Sequence, residues 1–180
     1  RRKHEPAIAR RNRLASVPIV KPRIEGLEIA VVSIAAMEVG GDYFDYLNGA
    51  PTLAALSNNN PARGPAERIT VIVGDVSGKG TSAALYMSKV QGILRSLHDF
   101  GLSPRELFVR ANHLLRQAME RTSFVTSIGA RFEPQSRRMH LARAGHLPLF
   151  YYSAQRGHVE KITPKGLGMG LDDEKLFAAE

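Results

Sequence analysis

The sequence predicts an α+β domain built mainly on antiparallel strands, and three observations lead there. Short apolar runs rich in β-branched residues, each bounded by glycine, occupy the first half of the chain; two consecutive helical patterns lie in the middle; strand patterns then resume. Strands, then helices, then strands is the order of an α+β fold in which neighbouring strands pair antiparallel. A chain of 180 residues with 43% hydrophobic content suits one globular domain with a sizeable core.

The first expected strand is Leu27 to Ala36, a short LEIAVVSIAA run rich in β-branched residues, suited to burial on both faces and ended by Gly40 and Gly41. Tyr43 to Ala50 reads as the second, closing on the turn dipeptide Asn48-Gly49. A loop carrying three prolines and three successive asparagines follows. Ile69 to Val76 is the third strand, broken by Gly78 and Gly80.

A helix comes next, because Ala83, Ala84, Met87, Val90, Leu94 and Leu97 recur at three- and four-residue intervals before Gly101. Ser103-Pro104-Arg105-Glu106 then supplies a capping serine, a proline at the first helical position and a glutamate three residues after the cap. Leu107, Ala111, Leu114, Leu115 and Ala118 are the expected buried stripe of this second helix. Three strand regions complete the pattern: Phe124 to Phe132, with Phe124, Thr126, Ile128, Ala130 and Phe132 alternating; Met139 to Ala144; and Leu149 to Tyr152, turning at Gly157 into His158 to Ile162.

The formal charge of +8 is concentrated at one end. Residues 1–23 carry eight Lys/Arg against one acid, whereas the rest carries 17 basic against 16 acidic residues. That head contains no aromatic residue for base stacking and no groove-reading motif, so it is expected to be a basic linker or helical segment from an upstream domain, with no nucleic-acid role. Residues 24–180 are the expected folded domain. There is no cysteine, which excludes disulfides and thiolate metal sites. The longest apolar stretch, Ile29 to Met37, is half of what a membrane helix needs, so no membrane insertion and a cytoplasmic location are expected.

Two acidic motifs carry the chemistry. Gly40-Gly41-Asp42-Tyr43-Phe44-Asp45 follows the first strand, and Gly74-Asp75-Val76-Ser77-Gly78-Lys79-Gly80 ends the third. Carboxylates at strand ends are fixed by the sheet, and adjacent glycines leave room for water and phosphate. Hard divalent cations prefer such oxygen ligands. If their strands are near one another, Asp42 and Asp75 converge on one ion or a pair. Aspartate beside glycine is also ordinary turn chemistry, and spacing alone leaves both readings open. A nucleotide-binding phosphate loop fails on register, because Lys79 is followed by Gly80 and not by Ser or Thr.

Five blocks in order, EVGGDYFDYL (38–47), VGDVSGKGTSAALYMS (73–88), TSFVTSIGARFEP (122–134), ARAGHLPLFYY (142–152) and GLGMGL (166–171), resemble the SpoIIE/RsbU-like branch of the metal-dependent type 2C serine/threonine protein phosphatases. The resemblance implies a largely antiparallel β-sandwich flanked by α-helices, with two Mn²⁺ or Mg²⁺ ions between the sheets. It implies Asp42, Asp75 and the Val76 carbonyl as metal contacts, with Asp45 nearby, either supporting those ligands or structural. No side-chain nucleophile is implied, since a metal-activated water attacks phosphorus. The implied substrate is a phosphorylated anti-sigma-factor antagonist of the STAS type, under control of an upstream sensor or receiver domain, with the two helices as regulatory elements.

The family's later Thr-Asp-Gly block and final aspartate do not occur before Glu180. The expectation is a C-terminally incomplete phosphatase domain lacking the last strands, taken from a longer protein. The alternative is a non-catalytic, phosphatase-like binding module. An open sheet edge or the N-terminal segment offers a route to a homodimer. Of the other polar residues, Ser77 is expected to cap the first helix and Lys79 to start it facing solvent. His146 is expected to be structural, because the resemblance places its block away from the aspartate motifs.

Overall fold

The computed structural model describes residues 22, 24–32, 41–48, 68–120 and 122–171. Within them the order is β1 (Asp42–Asn48), β2 (Ile69–Val76), α1 (Gly80–His98), α2 (Pro104–Ala118), β3 (Val125–Glu133), β4 (Arg138–Ala144), β5 (Leu149–Ser153) and β6 (His158–Ile162). The first four strands form one antiparallel sheet in the order β1-β2-β3-β4, and β5 and β6 form a separate hairpin. The α+β class and the antiparallel pairing are as the sequence predicts.

Alternation along each strand decides which face the helices cover. Tyr43, Asp45 and Leu47 of β1, Ile72 and Val76 of β2, Val125 of β3, and Ala142 and Ala144 of β4 are buried. All of these but Asp45 form the core with Met87, Val90 and Leu94 of α1 and Leu107, Phe108, Ala111 and Leu115 of α2. On β3 the buried set is Val125, Ser127, Gly129 and Arg131. The alternating apolar set, including Ile128, Ala130 and Phe132, points to the other face and is only half-buried. Small residues under the helices leave space that the helices fill: a Cβ on Gly129 would lie 3.0 Å from Cζ of Phe108.

The expected strand at Leu27 to Ala36 is not present over its described part. Residues 28–32 carry no strand and Val32 is 83% exposed. A β-branched run becomes a strand only when a neighbour completes its ladder. Among the described residues, neither β1 nor β4, the sheet's two edges, pairs with it. Residues 1–21, 23, 33–40 and 49–67, with the turn expected at Asn48-Gly49 and the loop expected after it, and the acids after Leu171 lie outside the described residues.

Each helix starts differently. Ser103 Oγ accepts from the Glu106 amide at 3.3 Å, and Glu106 Oε2 accepts from the Ser103 amide at 2.8 Å, completing the predicted capping box. The buried stripe of α2 is Leu107, Phe108, Ala111, Asn112 and Leu115, whereas Leu114 and Ala118 are exposed. For α1 the N-cap is Lys79, without a side-chain cap. Ser77 is not the cap: its Oγ accepts from the Phe124 amide at 2.8 Å, tying the end of β2 to the entry of β3.

The buried Asp45 points to the helix face, opposite to Asp42. Its carboxylate accepts from Arg95 Nε at 2.6 Å, Arg95 Nη2 at 3.0 Å, Gln91 Nε2 at 3.3 Å and the Tyr46 amide at 2.9 Å. This clamp fixes α1 to the edge strand, the structural one of the two roles expected of Asp45. Replacing Asp45 by alanine is expected to cost about 2–3 kcal/mol of stability, since Arg95 keeps part of its hydration while Gln91 loses a buried partner. Urea unfolding of the variant measures this, and a loss no larger than that of an exposed Asp99→Ala control would contradict it.

Candidate metal-binding site

Asp42 opens β1 and Asp75 lies one residue before the end of β2, and the register sets them directly opposite one another. The same row continues to Thr126 of β3. Directly opposed residues of an antiparallel pair have Cβ atoms about 4.5–5.5 Å apart, so two carboxylates share one patch of the face opposite the helices. The two motifs therefore converge as predicted, although through β1 and not through a strand at Leu27 to Ala36.

Glycines shape this patch. A Cβ on Gly41 would clash with the Val76 carbonyl oxygen and lie 2.9 Å from Asp75 Oδ1. The Val76 amide donates to the Gly41 carbonyl at 3.2 Å. The Val76 carbonyl thus lies next to the Gly-Asp step of β1, beside both acids. Beyond it, Gly78 (φ 105°) and Gly80 (φ 72°) sit in the left-handed region, which lets the chain leave β2 and enter α1 within four residues.

His146 also belongs to this patch, contrary to the expectation from its block. A parallel bridge between Ser127 and Gly145 carries the turn after β4 back beside β3, and His146 Nδ1 lies 2.9 Å from Thr126 Oγ1. The Arg143 guanidinium donates to the His146 carbonyl through Nε and to the Pro164 carbonyl through Nη1, the latter at 3.1 Å, and so holds the turn. No local spacing reveals this placement, because Thr126 and His146 are brought together only by the crossing of the chain at Ser127.

Electrostatics mark the patch as short of positive charge. Burial and then the charge of Asp42 push the Asp75 carboxyl above its ordinary value, against the opposing effects of His146 and the Val76 amide. Burial pushes the His146 imidazole down, while Asp75 and Asp42 pull it up. Two opposed carboxylates and a backbone carbonyl are hard oxygen donors, which fit a divalent cation of the Mg²⁺ or Mn²⁺ type. Among the described residues, no group of three or more His, Asp or Glu side chains is arranged to hold a metal ion.

The GLGMGL segment closes the same end of the sheet. Met169 and Val125 exchange amide–carbonyl hydrogen bonds of 2.8 Å, the Gly145 amide donates to the Gly166 carbonyl at 3.1 Å, and the Gly170 amide donates to Asn112 Oδ1 at 2.7 Å. The blocks identified in the sequence thus meet around the entry of β3. No helix among the described residues is long and apolar enough to cross a membrane.

Comparison with known proteins agrees with the fold. Residues 65–180 match the family Stage II sporulation protein E (SpoIIE). The chain is 28% identical over 153 residues to the phosphoserine phosphatase RsbU of Bacillus subtilis (strain 168), covering 85% of this chain and 41% of that protein. It therefore spans less than half the length of this curated relative. Its fold matches the crystal structure of the RsbU and RsbW domains of a Mycobacterium tuberculosis protein with a TM-score of 0.62, at 22% identity over 83% of this chain and 38% of the other. It also matches the PP2C phosphatase domain, with a fragment of the regulatory domain, of Bacillus subtilis SpoIIE, with a TM-score of 0.59 at 15% identity over 78% and 37% of the two chains.

Proposed function

The chain belongs to the stage II sporulation protein E (SpoIIE) family, and on that premise we propose that it is the catalytic core of a metal-dependent serine/threonine protein phosphatase. The substrate proposed is a phosphorylated anti-sigma-factor antagonist of the STAS type, under the control of an upstream sensor or receiver domain. The observation that carries this reading is the pairing of Asp42 with Asp75 across β1 and β2, beside the Val76 carbonyl. Similarity to a phosphoserine phosphatase supports the substrate class.

In this reading Asp42, Asp75 and the Val76 carbonyl hold part of a centre for two Mn²⁺ or Mg²⁺ ions. When bound, such ions lower the pKa of a coordinated water to generate a nucleophile near neutral pH and offset negative charge on the phosphoryl oxygens. The chain's own residues fix the geometry. The β1–β2 ladder sets the carboxylates face to face, and Gly41 keeps the approach to the Val76 carbonyl clear. Thr126 Oγ1, 2.9 Å from Nδ1, holds the His146 ring at the same patch. No side chain acts as the nucleophile.

Incubating the full-length protein with Mn²⁺ and a serine-phosphorylated antagonist tests the proposal; phosphate release that stops on chelation is expected, and no release at any Mn²⁺ concentration overturns it. A second reading, a non-catalytic phosphatase-like binding module, is favoured by the ligand count among the described residues, because two carboxylates seldom hold two divalent ions tightly. Calorimetric titration of this chain with Mn²⁺ separates the two: submillimolar binding argues against an inert site.

A further inference from the structure

We propose that the end of the sheet remote from Asp42 and Asp75 carries a second site, for an oxyanion of the phosphate class, formed by the guanidinium groups of Arg68 and Arg131. Arg131 pairs in register with Thr70, five residues before Asp75 on β2, which sets the two sites roughly 17 Å apart along the strand.

Arg131 is 7% exposed and points into the helix-covered side of the sheet. Among the described residues its one hydrogen bond is from Nε to Thr70 Oγ1, at 3.5 Å. Two carboxylates are close enough for their charge to act on it, Glu133 and Glu106. Both are engaged elsewhere. Glu106 accepts from the Ser103 amide and hydroxyl at 2.8 and 2.7 Å, and Glu133 accepts from Ser136 Oγ at 3.2 Å and lies 3.8 Å from His140 Nε2.

A second cation also acts on Arg131. Half-buried Arg68 enters β2 beside the α1–α2 turn, its Nη2 lying 3.4 Å from where a Cβ on Gly101 would stand. Among the described residues it forms no ion pair. Burial and the charge of Arg68 both push the Arg131 guanidinium down. The neighbouring His98 is also held toward its neutral form by burial and by the two arginines, and its Nδ1 has no partner among the described residues.

The terminal nitrogens of Arg131 reach solvent, it forms no ion pair among the described residues, and a second guanidinium acts on it, an arrangement that a bound anion relieves. Two guanidinium groups, on Arg131 opposite Thr70 and on Arg68 two residues before Thr70, suit the several oxygens of a phosphate better than the two of a carboxylate, which one arginine satisfies. The ligand chemistry is therefore phosphate, either free or carried on a serine of a partner.

The test titrates the chain, in chelator to silence the acidic patch, with inorganic phosphate, with a phosphoserine peptide and with acetate, following arginine Nε–Hε NMR signals. Saturable shifts of the Arg68 and Arg131 signals by phosphate, unchanged in Asp75→Asn and weakened about tenfold or more in Arg68→Met, are expected. Arg68→Met serves because its side chain is not part of the core, whereas Arg131→Met risks the fold. Saturation by the peptide at the lower concentration assigns the site to a partner's phosphoryl group, and by inorganic phosphate to the free ion; either supports the site. No saturable shift, equal saturation by acetate, or full binding by Arg68→Met overturns it.

Discussion

Replacing Asp75 by asparagine is expected to lower Mn²⁺-dependent phosphatase turnover of the full-length protein by about 10²-fold or more, while making the metal-free domain slightly more stable. The loss follows from removing an anionic oxygen where even residues that merely support metal ligands are worth about 10–100-fold. The gain follows from the register. Asp42 and Asp75 are direct cross-strand partners, and like charges so placed are destabilising, by about 0.2–1 kcal/mol for such a pair. The sign with pH is definite. Because the folded Asp75 carboxyl is raised above its unfolded value, the folded state binds the extra proton. Metal-free stability therefore falls as pH rises from the ordinary aspartate value through the raised one, and the cost persists at neutral pH. Asparagine removes it. Melting curves in chelator and in Mn²⁺ should cross: the variant melts higher without metal and gains less with it. Equal turnover of variant and wild type would refute the metal role of Asp75.

A second titration concerns stability alone. His98 is buried at the end of α1, its Nε2 lying 2.7 Å from the Asn48 carbonyl oxygen, and burial holds its pKa below the ordinary value. The unfolded chain takes up a proton below about pH 6.5 and the folded chain resists it, so stability present above that pH is lost as pH falls. Wild type should lose more unfolding free energy than His98→Gln between pH 7.5 and 5.5, by up to about 1.4 kcal/mol per unit of pH. Parallel profiles would remove His98 from the account.

What the sequence discloses in advance is what depends on neighbours along the chain. The capping box at Ser103 to Glu106, the turn at Gly157 and the exit of β2 through Gly78 and Gly80 rest on local backbone demands, and each is found where the residues place it. Asp42 and Asp75 are legible as candidates because their motifs are local. Their pairing is not, since it depends on which strands become neighbours. His146 is not legible as a neighbour of the acids, because its proximity comes from a chain crossing at Ser127 and Gly145. Ser77 has the chemistry of a cap, yet the Phe124 amide claims its hydroxyl. The apolar run at Leu27 has strand chemistry but no ladder partner among the described residues. In each case the residue type is compatible with two outcomes, and tertiary contact selects one.

The same distinction predicts the largest effect on stability. Phe108→Ala is expected to cost about 3–5 kcal/mol, whereas Leu114→Ala, a member of the stripe expected from sequence, should stay within about 0.5 kcal/mol of wild type. Phe108 is 0% exposed and Leu114 is 41% exposed. The difference arises at β3. Gly129 has no side chain, so the Phe108 ring descends to the strand backbone and fills the space between α2 and the sheet. Apolar periodicity on α2 registers both residues as hydrophobic and cannot report that hole in the opposing layer. For a domain of this size about 3–5 kcal/mol corresponds to a fall in melting temperature of very roughly 10 °C. Gly129→Ala should also destabilise, because its Cβ would stand 3.0 Å from the ring. Combined with Phe108→Leu it should cost less than the two single changes added together, since the smaller side chain yields the space that the methyl group needs. Strict additivity, or a loss in Leu114→Ala as large as in Phe108→Ala, would show that α2 is held to the sheet by some other contact.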